Sequence, residues 1–460
     1  MGSAEGGIVT VRGLSVLLVV LLAAGAGSLL WWRCEGEAPV VEAPEALAVG
    51  REGAEVSLRV TDAGSGLRRV RVALRHAGGE AELHATGQLP GSLVSGGTRK
   101  PSEEQVTLRI DPKALGLTEG DAFLDVEAAD WSWRSFLSGN LTQESVPVTI
   151  DLTPPRLRVA GGLTYVRRGG AASVVYELGE QAERDGVEVG DAFFPGFPLP
   201  GAGEATRRMA LFAVPRQAPE SPPIRVVAED AAGNRSAAGW ATRVQERRFE
   251  DVRINLSQGF LQSKVTSLAG SLGIDAADPV AAFQRINTET RAENEARVQE
   301  IVAGSGPERL WSGAFRQLRN SAVTSRFAEH RRYFLDGRTI SEAIHYGYDL
   351  ASTAQADVTA ANAGRVLFAG DLGIYGNCVI LDHGGGLTSL YAHLSRVDVA
   401  EGQSVEKGGT LGLSGETGLA GGDHLHFAIL VGGVYVDPKE WWDPKWVREH
   451  VEVRLPSSGS

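Results

Sequence analysis

Short runs of alternating apolar and polar residues fill much of the first half of the chain and constrain its fold more than any other feature. In AEVSLRVTD, LRRVRVALRH, EQVTLRIDP and ESVPVTIDL, apolar residues recur mainly at every second position, as in strands that are buried on one face. Gly, Asp and Ser separate these runs, which is typical of antiparallel strands joined by tight turns. The pattern therefore predicts a mainly β protein.

Two β-sandwich modules of immunoglobulin-like type are predicted, at residues 46–152 and 153–246. The stretches FLDVEAADWSWRSFLSGN and IRVVAEDAAGNRSAAGW each contain a strand, a turn with an aspartate and a Gly-Asn turn, so we interpret them as diverged copies. Asp130 and Asp230 are interpreted as turn-forming residues rather than calcium ligands, because no oxygen-rich loop surrounds either. Repeated modules are typical spacers, and we expect these to offer a surface to a protein partner.

A helical segment is predicted at residues 250–320. Asp278 followed by Pro279 is a helix-start signal, because an aspartate caps the first turn and proline fits its first position. Gly304 can end the last helix of the segment. Apolar residues at helical spacing indicate a stripe that faces the core: Val280, Phe283, Ile286, Val298 and Ile301.

The N-terminal stretch LSVLLVVLLAAGAGSLLWW, residues 14–32, carries no charge and approaches the about 20 residues that a membrane-spanning helix needs. We predict a transmembrane signal-anchor here. The alternative is a secretory signal cleaved at Ala24–Ala26, which would give a secreted protein. In both cases the bulk of the chain is exported, and with the anchor it is held at the cytoplasmic membrane and lies in the periplasm or cell envelope. The following EGEAPVVEAPEA is interpreted as a solvated acidic tether.

Composition excludes some classes of partner. A formal net charge of −12 argues against nucleic acid, whose binding needs clustered Lys and Arg. The two cysteines, Cys34 and Cys378, are far apart in sequence, and we predict that both are unpaired.

Histidines concentrate in the glycine-rich C-terminal region, which contains most of the nine in the chain. His424 and His426 are two residues apart in a strand-like run, so both side chains can point at one centre. His345 and Asp349 are four residues apart in AIHYGYDL, which we interpret as extended, and His393 lies in a third apolar segment. Histidine is the commonest protein ligand of metals, so these segments together indicate a metal site.

Three motifs of this region, HYGYDL, YGNCVILDHGGGLTSLYAHLS and GETGLAGGDHLHF, resemble in order and spacing those of the lysostaphin-type (LytM-like) zinc metalloendopeptidases, which cut peptide cross-bridges of peptidoglycan. The resemblance covers roughly residues 320–440 and extends upstream through TSRFAEHRRYFLDGRTISEAIHYG. It implies a C-terminal antiparallel-β zinc peptidase domain at residues 322–446 with one Zn2+. Asp423 departs from the pattern, because many members have a proline there.

Carried over by position, the resemblance implies that His345, Asp349 and His426 bind the zinc, and that His393 and His424 are catalytic residues beside the metal-bound water. It therefore implies a zinc-dependent endopeptidase that hydrolyses peptide cross-links or stem peptides of peptidoglycan through a metal-activated water. Two alternatives stay open: a non-catalytic wall-associated regulator that activates another cell-wall hydrolase, and a zinc peptidase that acts on proteins. The regulator is disfavoured because none of the three expected ligands is missing.

Other features near the site receive lesser roles. Tyr391 precedes His393 by two residues, so we expect it to share the same face and to contact substrate. His383 is interpreted as structural and Cys378 as a strand residue packed in the core. The helical segment, extended to residue 335, is expected to pack near the cleft and to restrict access to it.

Overall fold

The computed structural model describes residues 8–97, 102–160, 162–199 and 206–454, with side chains from Leu14 onward. Strands predominate among them, which confirms the predicted mainly β class. The chain divides into two compact units. The first extends to Pro154 and includes Asp230–Asn234, and the second comprises Pro155–Glu229 and Arg235–Ser460.

The first unit is a sandwich preceded by the helix Ile8–Arg33. Its strands are β1 (Val40–Glu42), β2 (Leu47–Val49), β3 (Ala54–Asp62), β4 (Leu67–His76), β5 (Gly79–Ala85), β6 (Gly91–Ser92), β7 (Gly96–Gly97), β8 (Ser102–Ile110), β9 (Gly120–Asp130) and β10 (Leu141–Ile150), with a short helix at Pro112–Leu115. They form the sheets β1-β3-β8 and β2-β10-β9-β4-β5 and the ribbon β6-β7. Alternate apolar residues of the two larger sheets form one core, which includes Val49, Leu58, Val60, Val72, Leu74, Ile110, Leu124 and Val126.

Among the described residues, Leu14–Arg33 is the helix that is long and apolar enough to cross a membrane, and its length and composition also fit a signal sequence. The stretch after it is not the solvated tether that was predicted. Its VVE run forms β1, which pairs antiparallel with β3. The carbonyl oxygens of Glu37 and Pro39 also accept hydrogen bonds from the side chains of Asn140 and Thr142, so this stretch is part of the folded unit.

Asp130 and Asp230 accept the same pattern of hydrogen bonds, in turns of different length. In each, one carboxylate oxygen accepts two backbone N–H groups and the other accepts the side-chain amide of the asparagine in the Gly-Asn pair. The shared hydrogen-bond pattern fits the interpretation of two diverged copies, which stays a prediction, as does the immunoglobulin-like type of the modules. Glu35 and Asp62 also bring carboxylate oxygens close to Asp130, which the local sequence did not indicate because both are distant in the chain.

The second unit begins with strands β11 (Leu157–Ala160), β12 (Thr164–Arg167), β13 (Ala171–Leu178), β14 (Arg184–Val189), β15 (Ala192–Pro195), β16 (Phe197–Pro198), β17 (Arg207–Ala213), β18 (Ile224–Glu229), β19 (Arg235–Ala238) and β20 (Thr242–Gln245). They form the sheets β11-β13-β17-β16 and β15-β14-β18-β19, and β12 pairs with β20. Buried aromatic and aliphatic side chains fill the space between the sheets, among them Val174, Tyr176, Val187, Phe194, Phe212 and Val226.

A helical hairpin, defined here as residues 258–302, follows strand β21 (Asp251–Asn255). Its helical pieces are Gln258–Phe260, Leu261–Val265, Thr266–Ser271, Pro279–Arg285, Ile286–Thr290 and Arg291–Val302, of which the second and fifth are π-helical. Asp278 caps Pro279–Arg285 by accepting two backbone N–H groups of the first turn, as the sequence predicts. The helical segment is shorter than the predicted 250–320, because the alternating run DVRIN forms β21.

The remaining strands are β22 (Ala322–Ser325), β23 (Glu329–Leu335), β24 (Arg338–His345), β25 (Tyr348–Ala351), β26 (Asp357–Thr359), β27 (Gly364–Asp371), β28 (Asn377–Gly384), β29 (Leu387–Leu394), β30 (Arg396–Val397), β31 (Ser404–Val405), β32 (Thr410–Leu413), β33 (Leu425–Val431) and β34 (Val434–Val436), followed by helices Pro438–Trp442 and Pro444–His450. The main sheet has the order β22-β25-β33-β29-β28-β27-β31, with β34 beside β33, and β21-β23-β24 form a smaller sheet. Trp311 and Phe315 each pack edge-on against Trp441 with ring centroids 5.5 Å apart, so the core of this region begins upstream of residue 322.

Candidate metal centre

The pairing of two central strands brings two of the predicted ligands together. β25 and β33 are antiparallel, and Asp349 lies directly opposite His426. Opposite residues in such a pair have Cβ atoms about 4.5–5.5 Å apart, so their side chains meet on one face. His345 ends β24, and the chain turns through Gly347 into β25. A Cβ at Gly347 would lie 2.6 Å from Cε1 of His426, so the close approach of backbone and imidazole there needs glycine.

Three buried side chains meet in a nearly equilateral triangle of donor atoms. His345 Nε2 lies 2.9 Å from Asp349 Oδ1 and 3.0 Å from His426 Nδ1. The third edge, from His426 Nδ1 to Asp349 Oδ1, is 3.0 Å. Ligand atoms around a tetrahedral zinc ion at about 2.0–2.2 Å are about 3.3 Å from one another, so the triangle is slightly smaller than one face of such a site.

The protonation of these groups favours a cation between them. His345 Nδ1 lies 2.9 Å from the carbonyl oxygen of Arg326, so it donates its proton there and leaves a lone pair on Nε2. Burial lowers the pKa of His345 and lowers the pKa of His426 to about 4, so both imidazoles are neutral at pH 7. The guanidinium of Arg331 lies 2.9 Å from Asp349 Oδ2, which favours the ionised form of that carboxyl group.

A lone pair of His345 therefore faces a carboxylate oxygen of Asp349, a repulsive arrangement that a bound cation would reverse. His345, Asp349 and His426 thus form a possible metal site. Two neutral imidazoles and one carboxylate are a donor set that suits zinc and leaves a coordination position free for a reactant.

Two further histidines flank the triangle. His424 Nε2 lies 3.6 Å from Asp349 Oδ1, and the ring of His393 is 4.9 Å from that of His424. Each donates its Nδ1–H to a backbone carbonyl oxygen, that of Thr417 for His393 and that of Gly422 for His424. Among the described residues, nothing hydrogen-bonds to His393 Nε2. Both rings are therefore held by one nitrogen and have the other available near the triangle.

The two flanking histidines differ in charge. Burial, reinforced by the neighbouring His424 and His426, lowers the pKa of His393 well below its ordinary value. Burial also acts to lower the pKa of His424, but the carboxylate of Asp349 outweighs it and raises that pKa above its ordinary value. In the metal-free protein, His393 is therefore neutral, whereas His424 gains a proton more readily.

His393 has φ = +64°, in the left-handed region that residues other than glycine rarely adopt. This conformation interrupts the alternation of β29, and the expectation that Tyr391 shares the face of His393 is wrong. Tyr391 is buried instead, and its hydroxyl accepts hydrogen bonds from the backbone N–H of Ala361 at 2.8 Å and from Ser389 Oγ at 3.0 Å. Strained backbone of this kind is typical of functional sites.

Arg331 holds the second carboxylate oxygen of Asp349, a role that the sequence analysis missed. Arg331 Nη2 lies 2.9 Å from Asp349 Oδ2, and its Nε lies 3.2 Å from Glu329 Oε2. The other oxygen of Glu329 accepts the backbone N–H of Arg326 at 2.7 Å, and the carbonyl oxygen of Arg326 accepts the proton of His345 Nδ1. One continuous set of hydrogen bonds therefore orients both His345 and Asp349. In the sequence, the residues of this hydrogen-bonded set lie in and after the upstream segment TSRFAEHRR, where no single residue indicated a role in orienting a metal ligand.

Replacing Arg331 by glutamine should lower zinc affinity about 10- to 100-fold, the usual effect of losing a group that orients a metal ligand. Asp349 would keep its place in β25 but lose the charge that fixes its second oxygen. Competition with a chromogenic chelator measures the affinity. Arg332→Gln is the matched control, because Arg332 is next in the chain, is about half exposed and is paired with Asp251 instead. Equal affinities of the two variants would contradict this role of Arg331.

The triangle opens into a cleft of about 440 Å³. As expected, β21 and the helical hairpin lie beside it, and they contribute one wall: Ile254, Asn255, Leu256, Ser257, Phe260, Phe283 and Arg291. Lys264 of the hairpin donates a hydrogen bond to the carbonyl oxygen of Glu416, which precedes the Thr417 that holds His393. The hairpin therefore contacts the loop that carries one flanking histidine.

His383, His330, Asp423 and the two cysteines are not part of the triangle. His383 is buried and bonded through both nitrogens, to the carbonyl oxygen of Ala363 and to Ser389 Oγ, as a structural residue is. His330 forms ion pairs with Asp251 and Glu342. Asp423 fixes the turn before the histidine pair, because its carboxylate accepts the backbone N–H of Gln355 at 2.8 Å and the hydroxyl of Ser414 at 2.6 Å. Cys34 and Cys378 are free, and Cys378 is buried in β28.

A buried centre of two histidines and one aspartate, open to a cleft, is typical of metal-dependent hydrolases. Residues 343–438 match Peptidase family M23, so the chain contains an M23 peptidase domain with lysostaphin-type structural neighbours.

Two curated relatives each match part of the chain. The DD-carboxypeptidase/endopeptidase Mpg of Neisseria meningitidis serogroup B is 40% identical over 95 residues, which are 21% of this chain and 22% of that protein. The peptidoglycan DD-endopeptidase ShyB of Vibrio cholerae is 32% identical over 140 residues, 29% of this chain and 31% of that protein. Less than a third of either relative is therefore matched. The solved catalytic domain of the antimicrobial peptidase lysostaphin from Staphylococcus simulans is 28% identical, covers 28% of this chain and 98% of its own, and has a TM-score of 0.24.

Proposed function

We propose that this chain is an exported zinc metalloendopeptidase that hydrolyses peptide cross-links or stem peptides of peptidoglycan. The observation that carries the proposal is the triangle of His345 Nε2, Asp349 Oδ1 and His426 Nδ1, complete and buried beneath an open cleft. The substrate class is supported by relatives of this chain that are named peptidoglycan DD-endopeptidases.

His345, Asp349 and His426 would hold one zinc ion in this function. Zinc bound there supplies a Lewis acid, which makes water acidic enough to be deprotonated near pH 7 and polarises a peptide carbonyl. The protein contributes the orientation of the ligands: Arg326 fixes the tautomer of His345, and Arg331 fixes the carboxylate of Asp349.

His393 and His424 would move the protons. Each donates Nδ1–H to a carbonyl oxygen, so in the neutral form each has a lone pair on Nε2 that can accept a proton from the attacking water. Once protonated, the same Nε2–H can stabilise negative charge on the substrate oxygen or deliver the proton to the leaving amine. Because both rings are held by the backbone, neither has to reorient between these steps.

The alternative of a non-catalytic regulator gains no support from the site. Burying two imidazoles and a carboxylate at 3.0 Å from one another is unfavourable unless a cation compensates for it, so a protein that had lost the metal would have little reason to keep the triangle. A zinc peptidase for protein substrates would use the same centre, and the choice of substrate is a separate question.

The helical hairpin and β21 would restrict access in this function. They form one wall of the cleft beside the triangle and so narrow the approach of a bulky cross-linked polymer to it. The N-terminal helix would hold the protein at the cytoplasmic membrane, with the bulk of the chain in the periplasm or cell envelope.

Digestion of purified peptidoglycan by the full-length protein tests the proposal. We expect soluble muropeptides whose masses show hydrolysis of a peptide bond, no such products after treatment with a chelator, and restored activity on addition of zinc. Mass spectrometry of the fragments also identifies the bond. Hydrolysis that persists after complete removal of metal would refute zinc catalysis, and cleavage of casein but not of peptidoglycan would favour the protein-substrate alternative.

A further inference from the structure

The last residue of the N-terminal helix is enclosed by two loops of the first unit, residues 91–97 and 131–139. Arg33 is fully buried, although the helical side chains before it are exposed. Its Nε donates to the carbonyl oxygen of Leu93 at 3.2 Å, and its Nη2 donates to that of Trp131. In return, the backbone N–H of Trp133 donates to the carbonyl oxygen of Arg33 at 2.7 Å. The helix therefore ends in a specific contact with the folded unit.

A glycine makes room for this contact. Gly96, in the β6-β7 ribbon, has φ = +75°, and a Cβ there would lie 2.7 Å from Arg33 Nη1 and 2.6 Å from the carbonyl oxygen of Ser65. The guanidinium of Arg33 also lies 5.6 Å and 5.9 Å from the ring centroids of Trp32 and Trp133. These contacts hold both loops at the level where the helix ends.

The same loops expose large apolar side chains. Val94, in the first loop, is 67% exposed. Phe136, in the second loop, is fully exposed and lies on a turn in which Ser135, Phe136 and Leu137 all have positive φ. Among the described residues from 40 to 154, six of the seven exposed large apolar residues lie at this end of the sandwich: Val40, Leu93, Val94, Phe136, Leu137 and Leu141. The seventh, Phe123, lies towards the other end and is covered by the guanidinium of Arg75. An apolar surface confined to one end of a soluble sandwich indicates a contact site.

We propose that this apolar end of the first unit rests in the headgroup region of the bilayer that the N-terminal helix spans. The 20 residues of Leu14–Arg33 rise about 30 Å as a helix, which is the thickness of the hydrocarbon core. Arg33 is thereby placed at the membrane interface, and the loops bonded to it lie at the same depth. Trp31, Trp32 and Phe136 are side chains that favour this region.

Continuity with the helix selects lipid over a protein as the occupant. The surface surrounds the point at which the helix leaves the folded unit, so a spanning helix presses it against the bilayer without any further partner. The charge of Arg33 does not face the lipid, because the side chain is fully buried and the carbonyl oxygens of Leu93 and Trp131 accept protons from its Nε and Nη2. The inference rests on the proposed membrane anchor and is independent of the catalytic function.

Depth measurements on the full-length protein in nanodiscs of phosphatidylethanolamine and phosphatidylglycerol test this proposal. An environment-sensitive fluorophore is attached at Val94→Cys or Phe136→Cys in a Cys34→Ser background, in which the remaining Cys378 is buried. Leu18→Cys reports insertion of the helix. Ala77→Cys is the matched control, because Ala77 is exposed and lies just after β4. The ten residues of β4 span about 33 Å, so Ala77 is far from Leu67, which lies at the apolar end of the sandwich.

We expect nitroxide lipids labelled near the headgroup to quench most of the emission at positions 94 and 136 and to leave that at position 77 unchanged. Lipids labelled deeper in the chain should quench position 18. Quenching at 18 without quenching at 94 and 136 would overturn the lipid contact while keeping the anchor. A purified chain that begins after Ala26, or a label at 18 that is not quenched, would overturn both.

Discussion

Replacing His426 by alanine should abolish zinc binding and peptide hydrolysis together. His426 Nδ1 is one of three donor atoms, and the two that stay, at His345 and Asp349, would leave a bound ion with one protein imidazole and one carboxylate. The decrease in zinc affinity should be larger than the decrease of about 10- to 100-fold that follows from removing a group that only orients a ligand. Zinc content after dialysis and the rate of muropeptide release measure the two effects.

His330→Ala is the matched control for this experiment. His330 lies in the same domain, but its nitrogens face Asp251 and Glu342 rather than the triangle. We expect it to retain zinc and activity. A His426→Ala protein that bound zinc as tightly as His330→Ala would contradict the assignment of the ligands, whatever its activity.

Alanine at His393 or at His424 should leave zinc bound and lower hydrolysis about 100- to 10,000-fold, the range for loss of a general acid or base. The reason is that these two side chains stand beside the triangle and do not form it: the ring of His393 is 5.9 Å from that of His426, and His424 Nε2 is 3.6 Å from Asp349 Oδ1. Zinc content and the rate constant for hydrolysis, measured on the same preparations, separate this result from the loss of a ligand.

Glutamine at each position distinguishes a chemical role from a structural one. His393→Gln can still donate a hydrogen bond to the carbonyl oxygen of Thr417 but cannot transfer protons, so it should be as inactive as His393→Ala. If both glutamine variants kept nearly full activity with zinc bound, proton transfer by these histidines would be excluded.

The ligands could be found from the sequence because a strand has a simple period. Once His426 was placed in a strand and Asp349 in an extended segment, their residue types indicated a shared metal, and the resemblance paired them. The structure adds the register that makes Asp349 the direct neighbour of His426 across β25 and β33. No local pattern in the sequence specifies that register.

Arg331 was not found because its role depends on contacts between distant strands. It reaches Asp349 across 18 positions in sequence, and only the pairing of β23 with β24 brings it there. The next residue, Arg332, is of the same type and points to Asp251. Composition cannot tell these two arginines apart, whereas the side of the strand on which each lies decides their roles.

The wrong expectations also have physical reasons. Tyr391 was assigned to the cleft on the assumption of regular alternation, which the positive φ of His393 interrupts. The acidic and proline-rich composition of EGEAPVVEAPEA predicts a solvated tether, but its residues Val40–Glu42 form β1, which pairs with β3, and the stretch is part of the folded unit. The first local pattern is overridden by an unusual backbone conformation, and the second by pairing with a strand elsewhere in the chain.

Location of zinc by anomalous scattering, on crystals of the full-length protein grown with zinc, tests the central claim most directly. The prediction is a peak at the zinc absorption edge within bonding distance of His345 Nε2, Asp349 Oδ1 and His426 Nδ1, with His393 and His424 beside it and not bound to it. A zinc-loaded, hydrolytically active protein without a peak between those three atoms would contradict the assignment of the metal centre.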